Sequence, residues 1–178
     1  MRQGFVVWLT GLPGSGKTTI AKLLESKLRS LDLPVEIIDG DEIRQNLSKG
    51  LGFSREDRET HLRRCAFVAK LLSRSGVAVI AALISPYQSV RDYARKETTN
   101  FIEVFVKCSV DECARRDPKG LYKKASSGQI TNLTGPQDTY EEPLHPDLIV
   151  DTEKLSVEES VDIIWNKLKA LNLIRPPQ

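Results

Sequence analysis

The chain reads as an α/β protein, a three-layer α/β/α sandwich around a mainly parallel five-stranded sheet, and three observations predict it. Apolar runs of strand length alternate with stretches of helical periodicity. The runs are nearly continuous in apolar residues, as in strands buried on both faces of a parallel sheet. The first run ends in a glycine-rich turn that leads straight into a helical pattern, a strand–turn–helix order.

The elements follow in chain order. Residues 5–10, Phe-Val-Val-Trp-Leu-Thr, form the first predicted strand. Ile20, Leu23, Leu24, Leu28 and Leu31 then mark one face of a helix. After the turn at Leu33-Pro34, residues 35–39 form the second strand, and residues 77–82, 101–106 and 148–151 form the others. Ser54 is placed to cap a helix reaching Ser75, with Leu62, Cys65, Ala66, Ala69 and Leu72 inward and Gly76 as its stop. Ser156 and Glu159 have capping-box spacing and open a last helix, with Val157, Val161, Ile164, Leu168 and Leu171 facing inward. Arg175-Pro176-Pro177 reads as a tail. A length of 178 residues suits one domain, residues 1–178. Residues 117–146 carry the longest stretch without apolar periodicity, rich in Lys, Gly, Ser, Thr and Pro. Such a segment is either a mobile lid over a site or a solvated loop.

Bulk properties exclude some classes. With 26 basic and 24 acidic side chains the net charge is +2, which gives no basis for nucleic acid or an anionic membrane as partner. No apolar run approaches the length of a membrane span, and no secretory leader is visible. Cys65, Cys108 and Cys113 lack paired metal-ligand spacing and leave an odd count for disulfides. A cytoplasmic location is therefore expected.

The chemistry starts in the glycine-rich turn. Gly11-Leu12-Pro13-Gly14-Ser15-Gly16-Lys17-Thr18-Thr19 has the spacing of a P-loop, the mark of the P-loop NTPases. Its glycines let successive amide N–H groups point at a phosphate, and the following helix aims its partially positive end at the same anion. Lys17 supplies a charge for the β and γ oxygens of ATP, and Thr18 a hydroxyl for Mg²⁺.

At the end of the second strand, Asp39-Gly40-Asp41 places two carboxylates where phosphate and acceptor should meet. Asp41 is the candidate to take the proton of an acceptor hydroxyl, and Asp39 to support the metal or its water. Asp41 alternatively reads as a helix N-cap. Arg44, Arg58, Arg63 and Arg64 are candidates for binding oxyanions. Phe53 either stacks on a base or staples the next helix. The basic run at 115–124 either covers a triphosphate and excludes water or is simply solvated.

Together these residues resemble the adenylylsulfate kinase (APS kinase) family over about residues 6–152. The markers are Gly-Leu-Pro-Gly-Ser-Gly-Lys-Thr-Thr at 11–19, Asp-Gly-Asp-Glu-Ile-Arg at 39–44, Leu-Gly-Phe-Ser at 51–54 and Glu-Asp-Arg at 56–58. Ile-Ser-Pro-Tyr at 84–87 and Arg-Asp-Pro-Lys-Gly-Leu-Tyr-Lys at 116–123 complete the set. The P-loop is widely shared; the other segments are far more specific.

The resemblance implies transfer of the γ-phosphate of ATP to the ribose 3′-hydroxyl of adenylyl sulfate, in a cytoplasmic, Mg²⁺-dependent homodimer. It implies that Arg44, Arg58 and Ile84 line the adenylyl-sulfate pocket, with Phe53 stacked on its adenine and Lys119, Gly120 and Leu121 in contact with that nucleotide. Arg116 is implied to lie against the adenine of ATP. Ser85 matches a serine once regarded as a phosphate acceptor, but direct in-line transfer makes it a positioning or phosphate-contact residue. A first strand close to Met1 resembles the kinase domain of fusions with ATP sulfurylase.

Three departures stand out. His61 occupies a position where the family commonly has asparagine, so one imidazole replaces an amide that both donates and accepts. Leu133 replaces a lid phenylalanine that sandwiches adenine. Gln45-Asn46 replaces His-Gly after Arg44. These changes leave two other readings open: a kinase of another small molecule on the same fold, and a catalytically silent nucleotide sensor.

Overall fold

The computed structural model describes residues 4–175. Five parallel strands form one sheet in the order β2-β3-β1-β4-β5. They are β1 (Phe5–Thr10), β2 (Val35–Asp39), β3 (Ala78–Ala82), β4 (Phe101–Lys107) and β5 (Leu148–Asp151). The helices are α1 (Lys17–Arg29), α2 (Gly40–Asn46), α3 (Arg55–Arg74), α4 (Gln88–Glu97), α5 (Val110–Arg116), α6 (Leu121–Ser126) and α7 (Val157–Ala170). The predicted tail beyond Arg175 lies outside the described residues.

Alternation along β1 builds both halves of the core. Phe5, Val7 and Leu9 pack with Ile20, Leu24 and Leu28 of α1 and Val161, Ile164 and Leu168 of α7. Val6 and Trp8 point the other way, among Leu62, Cys65, Ala66 and Ala69 of α3 and Val90 and Ala94 of α4. Strands that are apolar on both faces require this double cover, and the three-layer expectation holds.

The predicted caps form. The Ser54 hydroxyl accepts from the Asp57 amide, and Ser156 with Glu159 makes a full capping box. Leu171 departs from expectation: α7 ends at Ala170, and Leu171 is exposed in the following turn. Residues 117–146 also hold more order than their composition suggests. They contain α6, and Tyr122, Ala125 and Leu133 are buried in a third cluster with Leu12, Cys108 and Cys113. Apolar residues that pack from one irregular segment onto another leave no periodic signature, so periodicity missed this cluster.

Candidate active site

A cavity of about 760 Å³ opens along the carboxyl ends of the strands, the position expected for a ligand in an open parallel sheet. The strand order fixes its layout. The phosphate loop leaves central β1; β2 and β3 supply one wall, and the segment after β5 supplies the other.

The loop has the backbone its glycines predict. Gly14 has φ +80° and Gly16 φ +103°, and a Cβ on Gly14 would meet the Cys113 carbonyl oxygen at 3.1 Å. Lys17 folds back over the loop and is buried. Its ammonium donates to the carbonyls of Gly11 (2.8 Å) and Leu12 (2.7 Å) and, at 3.3 Å, to the Ser15 hydroxyl. Burial pulls the Lys17 pKa down to about 7. Gly11, Leu12 and Ser15 thus act from behind the loop, while Pro13, Gly14, Gly16, Lys17, Thr18 and Thr19 line the cavity. Tyr122 of α6 donates its hydroxyl to the Pro13 carbonyl at 2.8 Å, fastening the loop to the segment above it.

Asp39 and Asp41 reach the cavity with their roles at the helix divided differently from expectation. Asp39, not Asp41, is the N-cap of α2: its Oδ1 accepts from the amides of Asp41 (2.9 Å) and Glu42 (3.3 Å). The helix begins at Gly40, which moves the cap back to the last strand residue. Asp41 is left in the exposed first turn, where Lys119 donates to its Oδ2 at 2.6 Å.

Arg44, Phe53, Arg58, His61, Ile84, Ser85, Lys119 and Leu121 all line the same space. Phe53 is 52% exposed, with the Arg44 guanidinium 4.6 Å from its ring centre, so it is presented to the cavity and does not staple α3. Arg63 lies over Tyr93 and Arg64 bonds the Leu47 carbonyl; neither lines the cavity. Arg58 is buried, and its fork is taken by the lid: it bonds the Thr134 hydroxyl, the Asn132 carbonyl at 2.5 Å and the Asp138 carboxylate at 3.2 Å. The Nδ1 of His61 shares a 3.0 Å bond with the Ser48 hydroxyl. Burial, reinforced by Arg44 and Arg64, lowers the His61 pKa to about 4, so the ring is neutral near pH 7. Leu133 does not line the cavity; it is buried in the third cluster, with Leu12 among its neighbours. Gly120, at φ +66°, forms the N-cap of α6 beside the lining residues Lys119 and Leu121.

Several lining residues escaped the sequence reading. Thr152 follows β5, donates to the Ser15 carbonyl (2.9 Å) and receives Arg116 on both its hydroxyl and its carbonyl. Leu155, Ser156, Val157 and Ser160 complete that wall. The Ser156 box was readable, but its position over the cavity depends on β5 lying next to β4.

For a metal, the described residues hold no cluster of three or more His, Cys, Asp or Glu side chains. Thr18 and Asp39 line the same cavity as Lys17. That donor set fits Mg²⁺, which keeps several waters and takes its remaining oxygens from substrate phosphates.

The comparisons fit this geometry. The family model described as adenylylsulphate kinase matches residues 3–151. The chain belongs to the adenylylsulphate kinase family. An adenylyl-sulfate kinase of Rippkaea orientalis is 51% identical over 176 residues, covering 99% of this chain and 97% of that protein. A solved structure of the Mycobacterium tuberculosis APS kinase in complex with AMPPNP and APS is 40% identical, with a TM-score of 0.91 over 95% of this chain and 99% of that one. A probable bifunctional SAT/APS kinase of Sorangium cellulosum is 52% identical over 97% of this chain, which spans 30% of that longer protein. Among the described residues, no helix of this family member is long and apolar enough to cross a membrane.

Proposed function

We propose that the protein transfers the γ-phosphate of ATP to the ribose 3′-hydroxyl of adenylyl sulfate, giving 3′-phosphoadenylyl sulfate and ADP. One observation carries the reading: a single cavity joins a complete phosphate loop to a wall bearing Asp41, Arg44, Phe53, Arg58 and Ile84. The Mycobacterium tuberculosis relative that binds AMPPNP and APS supports the same pairing of ligands.

The loop amides and the start of α1 hold the phosphates, and Lys17 moves from the loop carbonyls to the phosphate oxygens. On the other wall, Phe53 offers an aromatic face to adenine, and Arg44 and Arg58 offer charge to the phosphosulfate. Asp41 takes the proton of the attacking hydroxyl once Lys119 turns to the substrate. Arg116 and the Thr152 wall receive the adenine of ATP. Ser85 positions and does not accept phosphate, because direct in-line transfer needs no phosphorylated enzyme; its buried hydroxyl is held by the Trp8 indole N–H at 3.1 Å. Mg²⁺, held by Thr18 with Asp39 behind it, would neutralise charge on the phosphate oxygens.

The 178 residues are read as one kinase domain with 117–146 as its lid, working as a cytoplasmic homodimer. The bifunctional SAT/APS relative supports a link to ATP sulfurylase.

The test is an assay with ATP, Mg²⁺ and a panel of acceptors. Formation of 3′-phosphoadenylyl sulfate with matching ADP is expected. Turnover of a different hydroxyl, or tight nucleotide binding without transfer, would replace this reading with another small-molecule kinase or a silent sensor.

A further inference from the structure

We infer that Arg91 is a positioning residue for the acceptor half of the site, clamping the Ser85 loop to the stem by which the lid returns to the sheet. The inference rests on the function proposed above.

Arg91 lies on α4, is fully buried and does not line the cavity. Its Nη1 donates to the Ser85 carbonyl at 2.6 Å. Its Nη2 donates to the Glu141 carbonyl at 2.7 Å and to the Gln88 side-chain oxygen at 2.8 Å. Its Nε faces the buried Glu103 carboxylate at 3.0 Å, an ion contact without hydrogen-bond alignment. A lone buried guanidinium would be costly, and Glu103 supplies the countercharge. Charge balance alone needs only Glu103, whereas the two Nη groups are spent on backbone carbonyls from separate segments.

Those two segments are what make the arrangement informative. Ser85 lies between cavity-lining Ile84 and Pro86 and has φ +42°. A non-glycine residue keeps such a conformation only where its surroundings over-determine it. The Arg91 bond and a longer Thr10 bond to its carbonyl, with the Trp8 bond to its hydroxyl, are among those surroundings. Glu141 lies in the last part of the lid segment. Its amide donates to the Pro86 carbonyl at 2.8 Å, its carboxylate accepts from the Gln88 amide at 2.7 Å, and its neighbour Tyr140 is bonded to Thr10 at 3.0 Å. One planar fork thus sets the wall behind the acceptor and the root of the lid in a fixed relation. A lysine carries its donors on one nitrogen and does not reproduce the two separated Nη groups of the fork.

The experiment is steady-state kinetics with ATP, Mg²⁺ and adenylyl sulfate on the wild type, Arg91→Lys, Arg91→Met and Gln88→Ala, with ADP binding followed by calorimetry. For folded Arg91 variants the KM for adenylyl sulfate should rise about tenfold or more with a fall in kcat. ADP affinity should stay within about twofold. An unchanged KM, or equal losses in ADP affinity and acceptor KM, would overturn the proposal, the latter because it marks a merely structural residue. Should neither Arg91 variant fold, Gln88→Ala decides. This variant of a half-buried residue removes one acceptor from Nη2, and a KM rise of about two- to fivefold at constant ADP affinity is expected. No rise rejects the role. Wild-type turnover is measured first: without it the functional reading fails and this proposal with it, while wild-type turnover with unaltered variants rejects Arg91 alone.

Discussion

The Lys119 ammonium lies 2.6 Å from the Asp41 carboxylate, bridging the α5–α6 link and the first turn of α2 across the cavity. Both side chains are largely exposed, so the pair adds little to stability. Its consequence is for chemistry, because the group meant to receive a proton is held by the lid until an acceptor displaces the lysine. Asp41→Asn should lower kcat by about 10²- to 10⁴-fold with nucleotide binding retained. Lys119→Met should raise the KM for adenylyl sulfate by about tenfold and leave the thermal midpoint nearly unchanged. Stopped assays and thermal melts on the two variants check both outcomes; a normal kcat in Asp41→Asn would remove Asp41 from the mechanism.

Lys17 links nucleotide binding to pH. Its pKa of about 7 reflects burial, and phosphate oxygens beside the ammonium favour the charged form. Binding above that pH must therefore take up a proton, so ADP affinity should weaken as pH rises from about 7 to about 9. Calorimetry at alkaline pH in buffers of differing ionisation enthalpy measures the uptake directly. Lys17→Ala should cut turnover by about 10³-fold or more while the chain stays folded, and should flatten the pH dependence of any residual binding.

His61 carries a stability signature of opposite use. Its folded pKa of about 4 lies below the ordinary histidine value of 6.5, so the unfolded chain binds more protons between those values. The stabilisation from keeping the ring neutral is complete above about 6.5 and is lost as pH falls toward 4, amounting to about 3 kcal/mol. His61→Asn should lose about 1–2 kcal/mol at pH 7 through the shortened side chain and the missing Ser48 bond. It should then show a smaller further loss in acid. Urea melts at neutral and acidic pH give both numbers. The same variant should leave ATP affinity alone and lower the KM for adenylyl sulfate; an unmoved KM would place His61 outside acceptor recognition.

Gly16 offers a backbone test. At φ +103° it is the N-cap of α1, so Gly16→Ala adds strain of about 1–2 kcal/mol in the loop itself. Nucleotide binding should weaken more than the thermal midpoint falls, since the displaced amides are those that face phosphate.

Periodicity and capping made much of this legible. The five strand runs, the Ser54 and Ser156 caps and the loop at 11–19 all lie where the residues place them, but only β1, β3 and β4 are buried on both faces, since β2 and β5 are edge strands. The misses have physical reasons. α4 offers only Val90 and Ala94 as fully buried apolar residues, too narrow a stripe to read, and so Arg91 passed unnoticed. The start of α5 went unread although Ser109-x-x-Glu112 has the spacing of a helix cap, and the Ser109 hydroxyl accepts from the Glu112 amide. Asp39 and Asp41 are both plausible caps by type, and only the backbone at Gly40 decides between them. Thr152 and Leu133 owe their placement to contacts between distant segments, which no local spacing encodes.

The strand order has a thermal consequence. β1 is paired along both sides, whereas β2 and β5 are each paired along one. Fraying starts at such borders. On warming, the ribbons that carry Asp39 and lead to Thr152 should loosen first, while the cup at the head of the middle ribbon keeps its shape. A gently heated sample would then still grip a pyrophosphate tail after it had stopped passing phosphate on, and amide exchange would record the two losses as separate events.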